Sequence, residues 1–228
     1  MKKVGVIFLS LGATEELRDM TQKAINSCLD GDPDIEYRVV VFESEEEVEY
    51  ENAYTIHPID DDSFNYNKRM NISRQLPIMD ECEYFALCNN DLVFEEGWAS
   101  SLIKKMVEHN AWSACPTDPT VHNEVKFENG VNVGRLVTRD ERQLAGWCIF
   151  QDRRIYKTIG KLDETAEFWH SDSYYSFQLA DHGIKHILVE DAVVHHLNCK
   201  TIRSGIIPKV QVDSYTTGSK AHQLFYNK

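Results

Sequence analysis

The fold is decided by one stretch, Glu83-Tyr-Phe-Ala-Leu-Cys-Asn-Asn-Asp91-Leu-Val-Phe94. Its apolar run is typical of a buried strand and leads directly into two asparagines and a carboxylate. A helix follows, with apolar residues at helical spacing, namely Trp98, Leu102, Ile103, Met106 and Val107. In an open α/β sheet, ligands bind in the crevice beyond the carboxyl ends of the strands. The stretch therefore predicts a ligand site at Asn89, Asn90 and Asp91.

The triplet at the end of this strand suits a hard divalent ion. Mg²⁺ or Mn²⁺ takes oxygen ligands, of which the protein supplies few and phosphate and water supply the rest. Asp91, with Asn89 two positions before it, meets that demand. The same triplet is also ordinary turn chemistry. A metal site and a plain turn both remain open at this point.

Composition and length indicate a soluble, single-domain protein. The chain has 228 residues, 42% of them hydrophobic and 27% charged, which is enough for one full core. The apolar run Val4 to Ala13 follows two lysines and imitates a signal peptide. Because the run is short and Thr14 opens a helix, we interpret it as the first strand. No stretch approaches the length of a membrane span.

Charge and cysteine usage exclude some classes of function. The net charge of −13 disfavours tight, sequence-independent binding to nucleic acid, which needs a basic face. Residues 200–228 nevertheless carry five Lys or Arg and one acid. The six cysteines show neither a close pair nor metal-like spacing, so we expect reduced thiols in a cytoplasmic protein. We expect a domain over residues 1–202 and a basic tail over 203–228.

Strands alternate with helices along the chain. The first strand is predicted at Val4 to Leu9, the second at Tyr37 to Phe42 and the last at Ile187 to His196, with a helix capped by Thr14 after the first. This alternation predicts an α/β fold with a mostly parallel central sheet flanked by helices. Residues 116–143 lack periodicity, and a loop of that length in a compact domain is usually functional.

Four segments, in this order, resemble blocks of the family-two-like glycosyltransferases of the GT-A fold, over roughly residues 3–201. They are Phe64 to Ile72; Leu87 to Asp91 with Gly97-Trp98; Gly146 to Glu164; and Trp169 to Asp172 with Gly183 to His196. The resemblance implies a single-domain GT-A-like fold. It also implies transfer of a sugar from a nucleotide-sugar donor, a UDP-sugar before others, to an acceptor hydroxyl, with Mn²⁺ or Mg²⁺ as cofactor.

The resemblance also implies the metal ligands and the catalytic base. Asp91 would bind the metal, and His196 would complete the metal shell or touch the diphosphate. Adjacent residues of a strand point to opposite faces, so at most one of His195 and His196 can serve. Asp172 corresponds to the base that takes the proton of the acceptor, in an inverting mechanism. An Asp near a helix N-terminus can also be a plain cap.

The remaining site residues divide between the donor and the sugar. Donor binding is implied for six residues: Ser10, Leu11, Glu43, Asn71, Asn89 and Asn90. Contact with the sugar or the acceptor is implied for five: Trp98, Trp147, Asp163, Glu164 and Trp169. Flat indole faces suit the C–H surface of a sugar ring, although core packing is an alternative for the tryptophans. Asp163 and Glu164 can equally shape a turn.

The acceptor and two other function classes stay open. A glycan, a small molecule, a protein or hydroxymethylated bases of phage-type DNA would each fit, the last in the cytoplasm of a host. Arg135, Arg139 and the basic tail would form a positive patch for an anionic acceptor. A nucleotidyltransferase commonly has a glycine-rich, basic phosphate loop after the first strand. The segment Ser10-Leu11-Gly12-Ala13 has one glycine and no basic residue. A non-catalytic nucleotide-sugar-binding protein is the third class.

Overall fold

The computed structural model describes residues 1–59, 64–134, 144–165, 167 and 169–197. The helices are α1 Glu15–Asp30, α2 Tyr66–Arg74, α3 Trp98–Glu108, α4 Arg153–Ile159 and α5 Ser171–Asp181. The strands are β1 Lys2–Ser10, β2 Ile35–Glu43, β3 Tyr54–Ile56, β4 Tyr84–Asn89, β5 Leu92–Phe94, β6 Ser113–Thr117, β7 Val131–Val133, β8 Cys148–Asp152 and β9 His186–His196. The expected α/β class is confirmed: one central sheet is flanked by helices.

The sheet contains both parallel and antiparallel strand pairs. Its strand order is β3-β2-β1-β4-β8-β6-β9-β5, and β7 pairs with β9 off this path. The half from β3 to β4 is parallel throughout, as the alternation of strands and helices predicts. β8 then runs antiparallel to both β4 and β6. This reversal places the segment that precedes β8 at the edge where β4 ends.

Three strand ends meet at one edge of the parallel half. Ser10 of β1 is in register with Glu43 of β2, and Leu9 is in register with Asn89 of β4. Because these strands run in the same direction, their carboxyl ends share that edge. The crevice beyond such ends is where open α/β sheets hold ligands. Ser10, Glu43 and Asn89, three of the predicted site residues, therefore lie at that edge.

The core lies on both faces of the sheet. Residues 4–9 of β1 are all buried, as a strand covered on two sides requires. α1 begins after Thr14, whose hydroxyl accepts a hydrogen bond from Leu17 N and so confirms the expected cap. The five cysteines in the described residues are free and buried. Within the same residues, no helix is long and apolar enough to cross a membrane.

Three short strands of the structure were not predicted from the sequence. β3, β5 and β7 contain three residues each, too few for an alternating pattern to stand out. β7 lies within the expected loop of residues 116–143. Residues 135–143 of that loop and the basic tail of residues 203–228 lie outside the described residues.

A carboxylate distant in sequence caps α3. The helix begins after Gly97, which has no side chain to cap it and adopts a left-handed φ of 78°. Asp32 Oδ2 accepts hydrogen bonds from Ala99 N at 3.0 Å and Ser100 N at 2.8 Å instead. These bonds satisfy two of the free N–H groups at the helix start and hold α3 against the end of α1.

Replacing Asp32 with alanine should therefore destabilise the protein by about 1–2 kcal/mol, the upper half of the range for lost helix caps, because the carboxylate is buried. Urea unfolding followed by circular dichroism measures the change. Asp34→Ala is the matched control, since Asp34 is exposed two residues further along. Equal midpoints for the two variants would contradict the capping role of Asp32.

Candidate functional site

A pocket of about 190 Å³ lies at the edge where β4 and β9 end. Its lining comes from strand ends on one side and from α2, α5 and the segment before α5 on the other. The lining residues are Tyr66, Asn67, Leu87, Asn89, Gly146, Trp147, Ile149, Leu162, Trp169, His170, Ser171, Asp172, Tyr175 and His196. Aromatic rings and a few polar groups thus surround a concave apolar floor, as in small-molecule sites.

The structure brings five of the predicted site residues to this one pocket: Asn89, Trp147, Trp169, Asp172 and His196. They come from four separate parts of the chain. Asn89 ends β4, and its N–H donates to Trp147 O at 2.9 Å, which fixes the tryptophan segment against the strand end. The order of motifs in the sequence therefore corresponds to a real convergence in space.

Asp91 and His196 lie side by side next to the pocket. His196 Nε2 is 3.3 Å from Asp91 Oδ1, and only 4% of the Asp91 side chain and 11% of the His196 side chain are exposed. The two groups are not aligned for a hydrogen bond, and His196 Nε2 is a buried atom with no hydrogen-bond partner in the described part of the chain. A nearly buried nitrogen without a hydrogen-bond partner is unusual in a folded protein.

The two adjacent histidines of β9 point in different directions. His196 lines the pocket and stacks on Trp147 with ring centroids 5.6 Å apart and an interplanar angle of 10°. His195 instead forms a surface pair with Glu95, at 2.6 Å between Nε2 and Oε1. The alternation of strand side chains explains the difference. The structure therefore places His196, and not His195, beside Asp91.

Asp118 fixes the end of β9, and no motif in the sequence indicated it. Its Oδ2 accepts a hydrogen bond from His196 N at 2.9 Å, while Oδ1 accepts from Thr120 N and Oγ1. Burial alone would raise the pKa of Asp118, but these hydrogen bonds bring it below the ordinary value. Asp118 is therefore a fixed acceptor that holds the backbone of His196 in place.

Asp172 is held close to the backbone at Gly146. A β-carbon at Gly146 would lie 3.0 Å from both Cβ and Oδ2 of Asp172, so glycine is what allows this approach. Burial raises the pKa of the Asp172 carboxyl, and a hydrogen bond from Ser173 N and the nearby charge of His170 oppose that rise only in part. A carboxylate with a raised pKa at a pocket wall is suited to proton transfer.

Asp172 does not occupy the N-cap position of α5. The residue at the N-cap position is His170, with a left-handed φ of 70°, and its side chain makes no cap hydrogen bond. Asp172 is the second residue of the helix, and its Oδ1 accepts a hydrogen bond from its neighbour, Ser173 N, at 2.8 Å. A left-handed histidine at a pocket wall is the kind of backbone feature that clusters at functional sites.

Three residues expected to bind the donor form a buried network instead. Ser10 Oγ lies 2.9 Å from Tyr50 Oη, and Asn90 Nδ2 donates to Thr21 Oγ1 at 2.9 Å. Glu43 is fully buried and accepts hydrogen bonds at one oxygen from Gly12 N and Glu45 N, and at the other from Tyr50 Oη. These side chains do not line the pocket. Leu11 is half-buried beside this network.

Two further predicted site residues, Trp98 and Asn71, are buried and make contacts within the protein. Trp98 is fully buried, donates to Cys28 O at 3.3 Å and stacks on Tyr37, so it packs in the core and has no face for a sugar. Asn71 is 1% exposed and forms hydrogen bonds with the backbone of Leu162, so it holds the chain rather than a donor.

Asp163 and Glu164 shape the segment that leads to α5. Asp163 Oδ1 accepts a hydrogen bond from Thr165 N at 2.8 Å, as in a turn. Glu164 is exposed, and its Oε1 accepts from Asn71 Nδ2 at 2.9 Å. The turn alternative therefore describes both placements.

Several pocket residues were not named from the sequence: Tyr66, Asn67, His170, Ser171 and Tyr175. Most of them lie inside the segments that resemble the glycosyltransferase family. Their closeness in sequence to Asn71 or Asp172 is the signal that could have identified them as pocket residues. Tyr175 lies one helical turn after Asp172, on the same side of α5, a relation that helical spacing alone could have suggested.

Comparisons with known proteins support the fold. No protein-family model matches the chain, and no curated protein matches its sequence. Among solved structures, residues 1–349 of TarS from S. aureus superpose with a TM-score of 0.60 at 14% identity. The match covers 85% of this chain and 59% of that one, so the chain spans less than two thirds of its neighbour. TarS is a GT-A-like glycosyltransferase, and the likeness shows that this chain has the same kind of fold.

Proposed function

We propose that this protein is a glycosyltransferase that moves a sugar from a nucleotide-sugar donor to an acceptor hydroxyl. The observation that carries the proposal is the convergence of Asp172, His196 and Trp147 on one pocket, with Asp91 beside His196. A general base, a pair of metal-binding side chains and an aromatic wall are the parts such a reaction needs. The GT-A-like fold supports the same conclusion at the level of architecture.

The residues beside the pocket fit a divalent ion. Asp91 offers a carboxylate oxygen and His196 an imidazole nitrogen, 3.3 Å apart and nearly buried. Two groups that each carry a lone pair repel one another at that distance unless a cation or a proton lies between them. The described residues contain no cluster of three or more such ligands. Two protein ligands would leave positions open for diphosphate and water, as Mg²⁺ and Mn²⁺ sites commonly do.

When bound, the ion would supply positive charge for the diphosphate leaving group. Asp91 and His196 would hold the ion. Asp118 would keep His196 in position, because its carboxylate accepts the hydrogen bond from the backbone N–H of His196. Asn89 is the last residue of β4, two positions before Asp91; it is half-buried and lines the pocket. These residues would therefore define the donor end of the site.

Asp172 would act at the acceptor end. Its carboxylate would take the proton of the attacking hydroxyl, which a direct, inverting displacement requires. Burial already disfavours its charged form, so accepting a proton there relieves a desolvation penalty. Trp147 and Trp169 line the same pocket, and their indole faces suit the apolar C–H surface of a sugar ring.

The proposal predicts release of a nucleoside diphosphate from a sugar nucleotide. A panel of UDP-, GDP-, ADP- and dTDP-sugars, each with Mn²⁺, Mg²⁺ or a chelator, would be followed by chromatography of the nucleotide products. We expect slow metal-dependent hydrolysis of one donor without acceptor, and faster release with the right acceptor. Binding of a donor without turnover under any condition would instead indicate a non-catalytic sugar-nucleotide-binding protein.

The acceptor is best identified by a direct screen. Candidates are simple sugars, glycosides, peptides, and DNA with hydroxymethylated bases against the same DNA with unmodified bases. The side chains proposed for an anionic acceptor, Arg135, Arg139 and the tail of residues 203–228, lie outside the described residues. Transfer to modified DNA that weakens as salt rises would favour a nucleic-acid acceptor. Transfer to a neutral sugar, unaffected by salt, would exclude it.

A further inference from the structure

The segment that leads into α5, the helix of the proposed base Asp172, has little regular structure of its own. Between α4 and α5 the chain passes through residues 160–170, where no strand or helix fixes the described backbone. Three pocket residues, Leu162, Trp169 and His170, belong to this segment, and a fourth, Ser171, begins α5. Something other than a backbone ladder must therefore hold it, because an unfixed segment would leave Asp172 poorly placed.

Side-chain amides of α2 hold that segment. Asn71 Nδ2 donates to Leu162 O at 3.0 Å, and Asn71 Oδ1 accepts from Leu162 N at 2.9 Å, so one side chain pairs with the backbone as a neighbouring strand would. Asn67 Nδ2 donates to Asp163 O, and Asn65 Nδ2 donates to Glu164 O at 2.8 Å. Three successive carbonyls are thus held by three asparagines, one at the N-cap of α2 and two within the helix.

The central amide of this set is fully used. Besides its two bonds to Leu162, Asn71 donates to Glu164 Oε1 at 2.9 Å and accepts from Arg74 Nη2 at 2.6 Å. An asparagine side chain has two donors and two acceptor sites, so none remains for a ligand. Asn71 is 1% exposed and Asn67 is 2% exposed. Buried bonds of this kind are strong and specify one arrangement.

We propose that Asn65, Asn67 and Asn71, the asparagine clamp, act as positioning residues that place Asp172 and the pocket wall before it. The inference rests on the proposed glycosyl transfer. Asn71 does not line the pocket and would act only through the segment it holds. Loss of the clamp should lower turnover and leave donor binding unchanged. The proposed metal ligands lie elsewhere in the fold, Asp91 between β4 and β5 and His196 at the end of β9.

Asn71→Asp is the main test. The change keeps the size and the acceptor oxygens but removes the two N–H donors to Leu162 O and Glu164. We expect kcat to fall roughly 10- to 100-fold, since small misplacements of catalytic groups have effects of that size. Calorimetry should show full donor-binding stoichiometry and unchanged affinity. Asn26→Asp is the matched control, because Asn26 is an exposed helical asparagine on α1.

A double-variant cycle separates positioning from general stabilisation. If Asn71 acts through Asp172, Asn71→Asp should have little further effect on kcat in the Asp172→Asn background. An equal fold-decrease in both backgrounds, or a loss of donor-binding stoichiometry that accounts for the loss of rate, would overturn the proposal. An inactive wild-type protein would overturn the glycosyl transfer itself, which is a distinguishable result.

Asn65→Asp covers the case in which Asn71→Asp does not fold. Asn65 is half-buried, and an aspartate there can still accept from Lys68 N and cap α2, so only the bond to Glu164 O is lost. We expect a roughly two- to fivefold fall in kcat with unchanged donor affinity, the effect of one clamp bond. An unchanged kcat in this variant would contradict the clamp.

Discussion

Replacing Asp172 with asparagine is expected to lower the turnover number by roughly 10²–10⁴-fold, the usual contribution of a positioned general base. The amide keeps the size of the side chain and can still accept the hydrogen bond from Ser173 N, but it cannot take a proton. Donor affinity should survive, because the proposed metal ligands lie on other elements. Steady-state kinetics with the identified donor and acceptor measure the change.

The raised pKa of Asp172 adds a pH dependence to this prediction. The base must be ionised, so the rate of the wild type should rise with pH through a carboxyl pKa above the ordinary value of 3.8. The same shift means that the folded state holds this proton more tightly than the unfolded state. Its contribution to stability is therefore present at low pH and is lost as the pH rises through the folded pKa.

At neutral pH the ionised carboxylate of Asp172 therefore lowers the free energy of unfolding. Because asparagine carries no charge, Asp172→Asn should raise the melting temperature slightly. Asp181→Asn is the matched control, since Asp181 is an exposed carboxylate at the other end of α5. Wild-type turnover by the Asp172→Asn protein at every pH would move the base elsewhere. A retaining mechanism would then become the better interpretation.

Replacing Asp91 with alanine is expected to abolish metal-dependent donor binding. Its carboxylate is 3.3 Å from His196 Nε2 and is the proposed oxygen ligand. Loss of outer-sphere partners alone weakens metal sites 10- to 100-fold, so loss of a ligand should exceed about 100-fold. Titration calorimetry of a nucleoside diphosphate with and without Mn²⁺ measures this directly. Thermal unfolding of the variant shows whether it remains folded.

The two histidines of β9 provide a matched pair for the same measurement. His196→Ala should weaken the Mn²⁺-dependent part of nucleotide binding, whereas His195→Ala should leave it unchanged, because His195 pairs with Glu95 on the surface. Equal effects of the two changes, or full Mn²⁺-dependent binding by Asp91→Ala, would mean that Asp91 and His196 form an ordinary ion pair.

The predictable part of the fold depended on long, strongly patterned segments. The apolar runs of β1 and β4 and the capped helix α1 were predicted from the sequence because burial on two faces leaves a continuous apolar signal. The mixed direction of the sheet could not be predicted in this way, since β8 has the same apolar pattern whichever way it runs. Which strand lies beside it is set by contacts distant in sequence, such as Cys88 opposite Cys148.

The site shows the same division. Asn89, Trp147, Asp172 and His196 were predicted as site residues from motif order, and the structure places all four at one pocket. Whether Asn71 and Glu43 face a ligand could not be read from the sequence, because their partners are other parts of the chain. Leu162, for example, is 91 residues from Asn71.

The helical pattern around Trp98 predicts a core position for it. It belongs to the apolar face of α3, together with Leu102 and Met106, and all three are buried. Helical periodicity alone therefore indicated a core role for Trp98. Trp147 lies outside any regular element, just before β8, and its ring is free to form part of a wall. The position of an aromatic residue relative to an amphipathic pattern is thus a usable guide.

The central claim is that the donor diphosphate binds at Asp91 and His196, beside the pocket that contains Asp172. The most direct test is a crystal structure with Mn²⁺ and the nucleoside diphosphate of the preferred donor, with the metal located by its anomalous scattering. We predict one anomalous peak at coordination distance from both Asp91 and His196, in contact with the diphosphate. A diphosphate bound elsewhere, or a peak that touches neither residue, would contradict the account.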